Sequence, residues 1–339
     1  MKVQADWLNN PSVQALFALL GDAGQQLHAV GGCVRNTLLG QPVADVDFAC
    51  SARPEVVSAL AKAAGYRVLP TGIEHGTVTV LIGDEGFEVT TWRKDVDTDG
   101  RRATVAYAET LREDALRRDF TINALYVSAD GSLTDPVGGQ HDIAAKRLRF
   151  IGNPDDRIAE DYLRILRFFR FYAWYCDPSD GPDPDALAAI AAGLDGLASL
   201  SAERVGAEMA RLLAAPNPAP ALGLMAQSGA LGRVLPGADV MFVAPLVHVE
   251  GETKTPPRWQ RRLAALGQGE DWAARLRLSR ADAKALVNTA LAAGSDSLAV
   301  AAYLYGEDAA VDATLITAAS TNSLPKAGWR DEVLRGVQA

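Results

Sequence analysis

Near Asp155 the hydrophobic pattern of the chain changes period, and this limits the fold more than any other feature. Before it, short apolar runs ("LHAV", "DFAC", "TVTVLI", "FEVTTW") alternate with helical stretches such as "PSVQALFALL" and "PEVVSALAKAAG" and with the turn signal "GDEG". After it, "DDRIAEDYLRILRFFRFYAWY", "DALAAIAAGL", "SAERVGAEMARLL" and an Ala/Leu-rich remainder keep helical spacing. The loops "CDPSDGPDPD" and "AAPNPAP" separate them. A mixed α/β front half must therefore precede an all-α remainder. At 339 residues the chain exceeds what one hydrophobic core usually serves. Three parts are expected: 1–150, 151–240 and 241–339, with "HVEGETKTPPRWQ" as the last break.

Inside the front half, "VADVDFAC" sets Asp45 and Asp47 two apart in an apolar run. Residues i and i+2 of a strand share a face, so both carboxylates point the same way. Their repulsion and desolvation cost several kcal/mol unless a cation meets them. A hard divalent ion such as magnesium suits such oxygen donors. Alone, the D-x-D pattern is weak, since most occurrences are solvated. Upstream, Gly31 and Gly32 lie between a strand and a helix, where backbone amides can meet an anion and Arg35 can add a guanidinium. A glycine pair in a tight turn explains itself structurally, but a phosphate cradle beside a carboxylate pair means more than either alone.

A net charge of −9 argues against diffuse nucleic-acid affinity, yet arginines gather in "RKDVDTDGRR", "LREDALRRDF", "KRLRF" and along Arg157 to Arg170. A focused basic cleft on an acidic body fits this distribution. Three scattered cysteines argue for a reducing compartment and against a disulfide framework. The polar N-terminal stretch and the lack of a membrane-length apolar run make a cytoplasmic location the expectation.

Taken in order, "GGCVRNTLLG", "DVDF", "TGIEHGTVTV", "EVTTWR", "RRDFTINAL", "DPVGGQHDI", "EDYLRILRFFRF" and "SAERVGAEMARLL" resemble the class II tRNA nucleotidyltransferases, the CCA-adding enzymes grouped with bacterial poly(A) polymerases. The resemblance runs from about residue 27 to 215. It implies an α+β fold: a mixed-sheet, polymerase-β-like nucleotidyltransferase head (1–150), an all-α neck that recognises the base (151–240) and an all-α body that binds tRNA (241–339). It also implies that Asp45 and Asp47 hold magnesium, that Gly31, Gly32, Arg35 and Arg118 contact the nucleotide, and that Asp119 orients Arg118. Glu88 is the candidate third carboxylate on a neighbouring strand. Asn36 departs from the family, which usually has aspartate there. The polar segment Arg93 to Arg112, with Arg101 and Arg102, resembles the family's flexible loop.

In "EDYLRILRFFRF", Asp161, Arg164, Arg167 and Arg170 recur at intervals of three along what reads as one helix, between apolar residues. An exposed salt-bridge ladder is the plain reading. A stripe facing a cleft could instead select bases. C and A both present an exocyclic amine beside an unprotonated ring nitrogen; Asp161 can accept from the amine and Arg164 donate to the nitrogen. G and U reverse that pattern, which a polar site rejects.

The expected activity is template-independent addition of C, C and A to the tRNA 3′ end from CTP and ATP, with pyrophosphate released. The alternatives are a poly(A) polymerase of the same family, a partial CC- or A-adding enzyme and, from another class, an inactive RNA-binding module. The dipeptide His141-Asp142 suggests an HD phosphohydrolase, but His28, His75 and His248 lack the matching context.

Overall fold

The computed structural model describes residues 1–94 and 106–339. Arg101 and Arg102, and with them most of the expected loop, lie outside the described residues. The chain divides into two compact units, Met1–Glu160 and Asp161–Ala339. Among the described residues no helix is long and apolar enough to cross a membrane.

Among its described residues the first unit has nine strands: β1 (Leu27–Val30), β2 (Asp47–Cys50), β3 (Arg67–Leu69), β4 (Thr77–Ile82), β5 (Glu85–Thr91), β6 (Arg93–Lys94), β7 (Ala106–Tyr107), β8 (Tyr126–Val127) and β9 (Leu133–Thr134). Seven form a mixed sheet in the order β3-β4-β5-β2-β1-β8-β9, and β6 pairs with β7. Only β2 and β5 run parallel in the seven-stranded sheet; the other neighbours are antiparallel. Alternation sorts the two faces. Val78, Val80, Phe87, Val89 and Phe48 point inward, where Phe48 meets Phe17 and Phe87 edge to face at 5.4 and 6.0 Å. Phe17 comes from the helix Pro11–Asp22, whose Val13, Leu16, Phe17 and Leu20 are buried at helical spacing. Asn10 caps that helix by accepting from Ser12 N (2.8 Å). The opposite sheet face carries Asp47 and Glu88.

Close packing fixes one turn of this unit. A Cβ on Gly139 would stand 2.2 Å from the Thr121 carbonyl oxygen, so only glycine lets the helix Gly139–Ala144 lie against the short 3-10 helix Thr121–Asn123. Gly139→Ala is expected to cost about 1–3 kcal/mol of stability, as overpacking does. A thermal melt checks this, and an unchanged midpoint would show that the turn yields freely.

The second unit is helical throughout its described elements. The helices Leu163–Tyr175 and Ala202–Leu213 pack together, and Ile165, Leu166, Phe168, Phe169 and Met209 are buried. The continuous helix expected across "EDYLRILRFF" is instead two, Pro154–Glu160 and Leu163–Tyr175. Asp161 breaks it: its carboxylate accepts from Leu163 N (3.0 Å), offering the backbone an alternative to continued helix. Tyr162 then lies against Gly196, where a Cβ would come within 2.0 Å of its ring.

Further along, Arg262 is fully buried. It donates to Glu250 (2.8 Å) on the helix Val243–Glu252, and to the carbonyls of Leu213 (2.7 Å), Ala215 and Pro216 (3.2 Å) at and just beyond the end of the helix Ala202–Leu213. A side chain from far along the chain thus satisfies carbonyls that the end of a helix leaves open. Arg261 adds bonds to Glu250 (2.7 Å) and Asp312 (2.8 Å).

Candidate active site

Asp47 opens β2, while Asp45 falls in the irregular segment before it, so the two carboxylates do not share one strand as the sequence suggested. They remain close enough to interact. Parallel pairing sets Phe48 opposite Val89, which brings Glu88 of β5 alongside Asp47 on the same sheet face. The Asp47 carboxyl is pushed above its usual range, first by crowding that strips part of its water and then by the charges of Glu88 and Asp45, with Arg118 opposing. Among the described residues no group of three or more His, Cys, Asp or Glu is arranged to hold a metal ion. What the face presents is a cluster of mutually repelling hard oxygen donors, Asp45 and Asp47 both exposed to solvent, and such a donor set fits a divalent cation.

Beside the carboxylates lies the glycine turn. Gly31 takes φ 78° and ψ −124°, a conformation that disfavours side chains, and starts the helix Gly32–Leu38. A Cβ there would stand 3.9 Å from Arg118 Nη1, and one on Gly32 would stand 3.8 Å from Arg35 Nη2. Both guanidinium groups therefore flank the turn. Arg35 is itself buried, donating to Asn123 Oδ1 (2.5 Å) and, through Nε and Nη2, to Asn36 Oδ1 (3.2 and 2.9 Å). The amide of Asn36 also donates to the Pro42 carbonyl (2.9 Å), a bond that an aspartate could not make.

Arg118 is held by residues that sequence reasoning missed. Asp114, fully buried on the helix Leu111–Leu116, accepts from Arg118 Nε (3.2 Å) and Nη2 (3.0 Å), Arg117 Nη2 (2.7 Å) and the Tyr126 hydroxyl (2.9 Å). Burial opposes its charge, but Arg118 and Arg117 outweigh it and hold the carboxyl down at about 2. Tyr126 accepts a further bond from Arg118 (3.0 Å) and presents its ring to the guanidinium. Arg157 supports the same turn by donating to the carbonyls of Arg117 and Arg118. Asp119, expected to orient Arg118, accepts from Phe120 N (2.8 Å) and Asn123 Nδ2 (3.0 Å), which continues the chain to Arg35. A capping box, Thr110 with Glu113, starts the Asp114 helix and is the signal of that helix that the sequence carries.

In the second unit, Arg164, Arg167 and Arg170 form a half-buried stripe along the helix Leu163–Tyr175, and Asp161 sits at the break before it. Asp161 accepts from Arg204 (2.7 Å) of the neighbouring helix. The carboxylate that gathers the stripe is Glu208, which binds Arg170 Nε (2.6 Å), Arg211 (3.6 Å) and Arg167 (3.9 Å). Burial presses the Arg170 charge down, Glu208 opposes this, and the neighbouring Arg167 adds to it. Sequence reading named the motif around Glu208 without giving that residue a role; its position four residues after Arg204, with Arg211 three beyond, was the available signal.

Comparison with known proteins places both regions. The poly(A) polymerase head domain matches residues 27–149, and the model described as a probable RNA and SrmB-binding site of polymerase A matches residues 182–242. The human mitochondrial CCA tRNA nucleotidyltransferase 1 is 41% identical over 215 residues, covering 61% of this chain and 50% of the relative. A CCA-adding enzyme of Geobacillus thermodenitrificans is 39% identical over 231 residues, covering 67% of this chain and 55% of its own. The chain thus spans about half the length of the curated relatives it matches. The crystal structure of the Bacillus stearothermophilus CCA-adding enzyme in complex with CTP superposes with a TM-score of 0.78 at 29% identity, over 96% of this chain and 82% of that one.

Proposed function

We propose, for a chain that belongs to the tRNA nucleotidyltransferase and bacterial poly(A) polymerase family, that it adds C, C and A to the 3′ end of tRNA from CTP and ATP without a nucleic-acid template. The observation that carries this reading is the juxtaposition of Asp45, Asp47 and Glu88 with the Gly31 turn and Arg118 on one face of the sheet. Carboxylates that repel one another, beside a cation-flanked turn, suit a nucleoside triphosphate with its metal.

Magnesium bound by Asp45 and Asp47 would activate the attacking hydroxyl and balance charge on the departing pyrophosphate. Glu88 adds negative charge to that donor set. The Gly31–Gly32 backbone and Arg118 receive the triphosphate, and Asp114 with Tyr126 fixes Arg118 before the nucleotide arrives, so less ordering is required on binding. Arg35 underlies the turn and keeps its shape through Asn36 and Asn123. Base selection is assigned to Asp161 and Arg164, with Arg167 and Arg170 completing the nucleotide contacts. A neck within 151–240 and a tRNA-binding body within 241–339 complete this reading, and a cytoplasmic location accompanies it.

Incubation with tRNA trimmed at its 3′ end and CTP alone, ATP alone or both tests the reading. Addition of C, C and then one A is expected. A long A tract would identify a poly(A) polymerase, and binding of tRNA without incorporation an inactive RNA-binding module. Asp161→Ala is expected to lower the preference for CTP over UTP about ten- to hundredfold, the equivalent of one hydrogen bond with a charged partner at roughly 1.5–3 kcal/mol. Steady-state incorporation of all four nucleotides measures it. A uniform drop with unchanged preference would leave Asp161 as the anchor of Arg204 only.

A further inference from the structure

The first unit holds a second concentration of positive charge that the nucleotide site does not use. Between Gln140 and Phe150, His141, Lys146, Arg147 and Arg149 stand against a single acid, Asp142. That acid is fully buried. It accepts from Thr121 Oγ1 (2.6 Å), Arg147 Nη2 (3.1 Å) and Arg149 Nε (2.9 Å). Its charge is directed inward, while His141, Lys146 and Arg147 face solvent and Arg149 is half-buried.

The geometry is fixed as well as basic. Lys146 takes φ 47° in a turn closed by Lys146 N to the Ile143 carbonyl (3.0 Å) and Arg147 N to the Asp142 carbonyl (2.8 Å). The nearby Asp135 accepts from the backbone amides of Gly138, Gly139 and Gln140 at 2.8, 2.9 and 3.0 Å. The large apolar side chains of the stretch, Ile143, Leu148 and Phe150, are buried, and only the small Ala144 among its apolar residues is exposed. What remains outward is cationic surface suited to phosphates rather than an apolar surface suited to a protein partner.

Its place in the fold is specific. Thr121, which binds Asp142, and Asn123, which receives Arg35, are the two ends of one 3-10 helix, about 4 Å apart along its axis at ~2.0 Å per residue. The basic turn and the nucleotide cradle are thus joined through three residues. With a net charge of −9, attraction for an RNA backbone must come from such local surfaces.

We infer that Lys146, Arg147 and Arg149, positioned by Asp142, bind the sugar–phosphate backbone of the RNA whose 3′ end is extended. This rests on the function proposed above. The test is the affinity of the full chain for 3′-trimmed tRNA between 50 and 200 mM salt, for Lys146→Glu and for Lys146→Glu with Arg147→Gln, beside CTP affinity measured without RNA. Among the described residues Lys146 makes no side-chain hydrogen bond or ion pair, so the single variant retains a test if the double one does not fold. The double variant is expected to bind tRNA about five- to tenfold more weakly at low salt. Its slope of log affinity against log salt should be smaller by about 1–2, at roughly 0.9 per phosphate contact, with CTP affinity unchanged. Unaltered tRNA affinity and slope in both variants would overturn the inference. Failure of the wild-type chain to incorporate CMP would instead defeat the function proposed above, so the two failures are distinguishable.

Discussion

Asp47→Asn and Asp45→Asn are each expected to lower CMP incorporation by at least about a thousandfold while tRNA affinity stays within about twofold. The expected loss is large because each substitution would remove a donor of the proposed metal set. Several kcal/mol of transition-state stabilisation goes with it, and about 4 kcal/mol corresponds to a factor of roughly 10³. The upward push on the Asp47 carboxyl should also ease slightly in the Asp45 variant, since the Asp45 charge adds to it after the loss of water and the Glu88 charge. Single-turnover incorporation in saturating magnesium measures the first effect. Activity within tenfold of wild type in either variant would remove that residue from the metal set.

Asp114→Asn is the second large effect, and it acts on stability first. Asp114 is fully buried and serves two guanidinium groups and a phenol. Breaking a buried pair from one side costs about 3–5 kcal/mol. The variant should therefore melt several degrees lower and, where folded, show a raised KM for CTP, because Arg118 is no longer held beside Gly31. The pH dependence follows from the depressed carboxyl, about 2 in the fold against an ordinary 3.8. Its contribution, about 2 kcal/mol, is complete above about pH 4 and is lost as pH falls toward 2. Acid unfolding followed by circular dichroism should show that loss in wild type and not in Asp114→Asn. Coincident acid transitions, once the offset in overall stability is allowed for, would remove Asp114 from the acid-sensitive set.

The parts of this arrangement that the sequence disclosed are those encoded at short range. The period-2 pattern of "TVTVLI" and "FEVTTW" gives β4 and β5, and therefore the face on which Glu88 must lie. The change to helical spacing gives the second unit. Long-range pairing was not legible: that β2 runs parallel to β5 places Glu88 beside Asp47, and nothing within either strand specifies its partner. Asp114 escaped for a related reason, because its partners lie three, four and twelve residues away on a helix end and a strand, and a charged helix otherwise reads as solvated. The break at Asp161 was hidden by an unbroken helical period. The deciding contacts were a side-chain bond to Leu163 N and the fit of Tyr162 against Gly196.

Arg262 joins what the chain order separates. By binding the carbonyls after Leu213 and the carboxylate of Glu250 at once, it ties the helix that carries Glu208 to helices of the C-terminal part through one guanidinium. Releasing either side strands buried charge or open carbonyls on the other, so neither can open alone without that penalty. The helix that carries Glu208, and through Glu208 the arginine stripe, is thereby braced by residues about eighty to ninety positions beyond the stripe. On the proposed base-selecting role of Asp161 and Arg164, variation in the C-terminal helices is expected to alter nucleotide preference without touching a nucleotide.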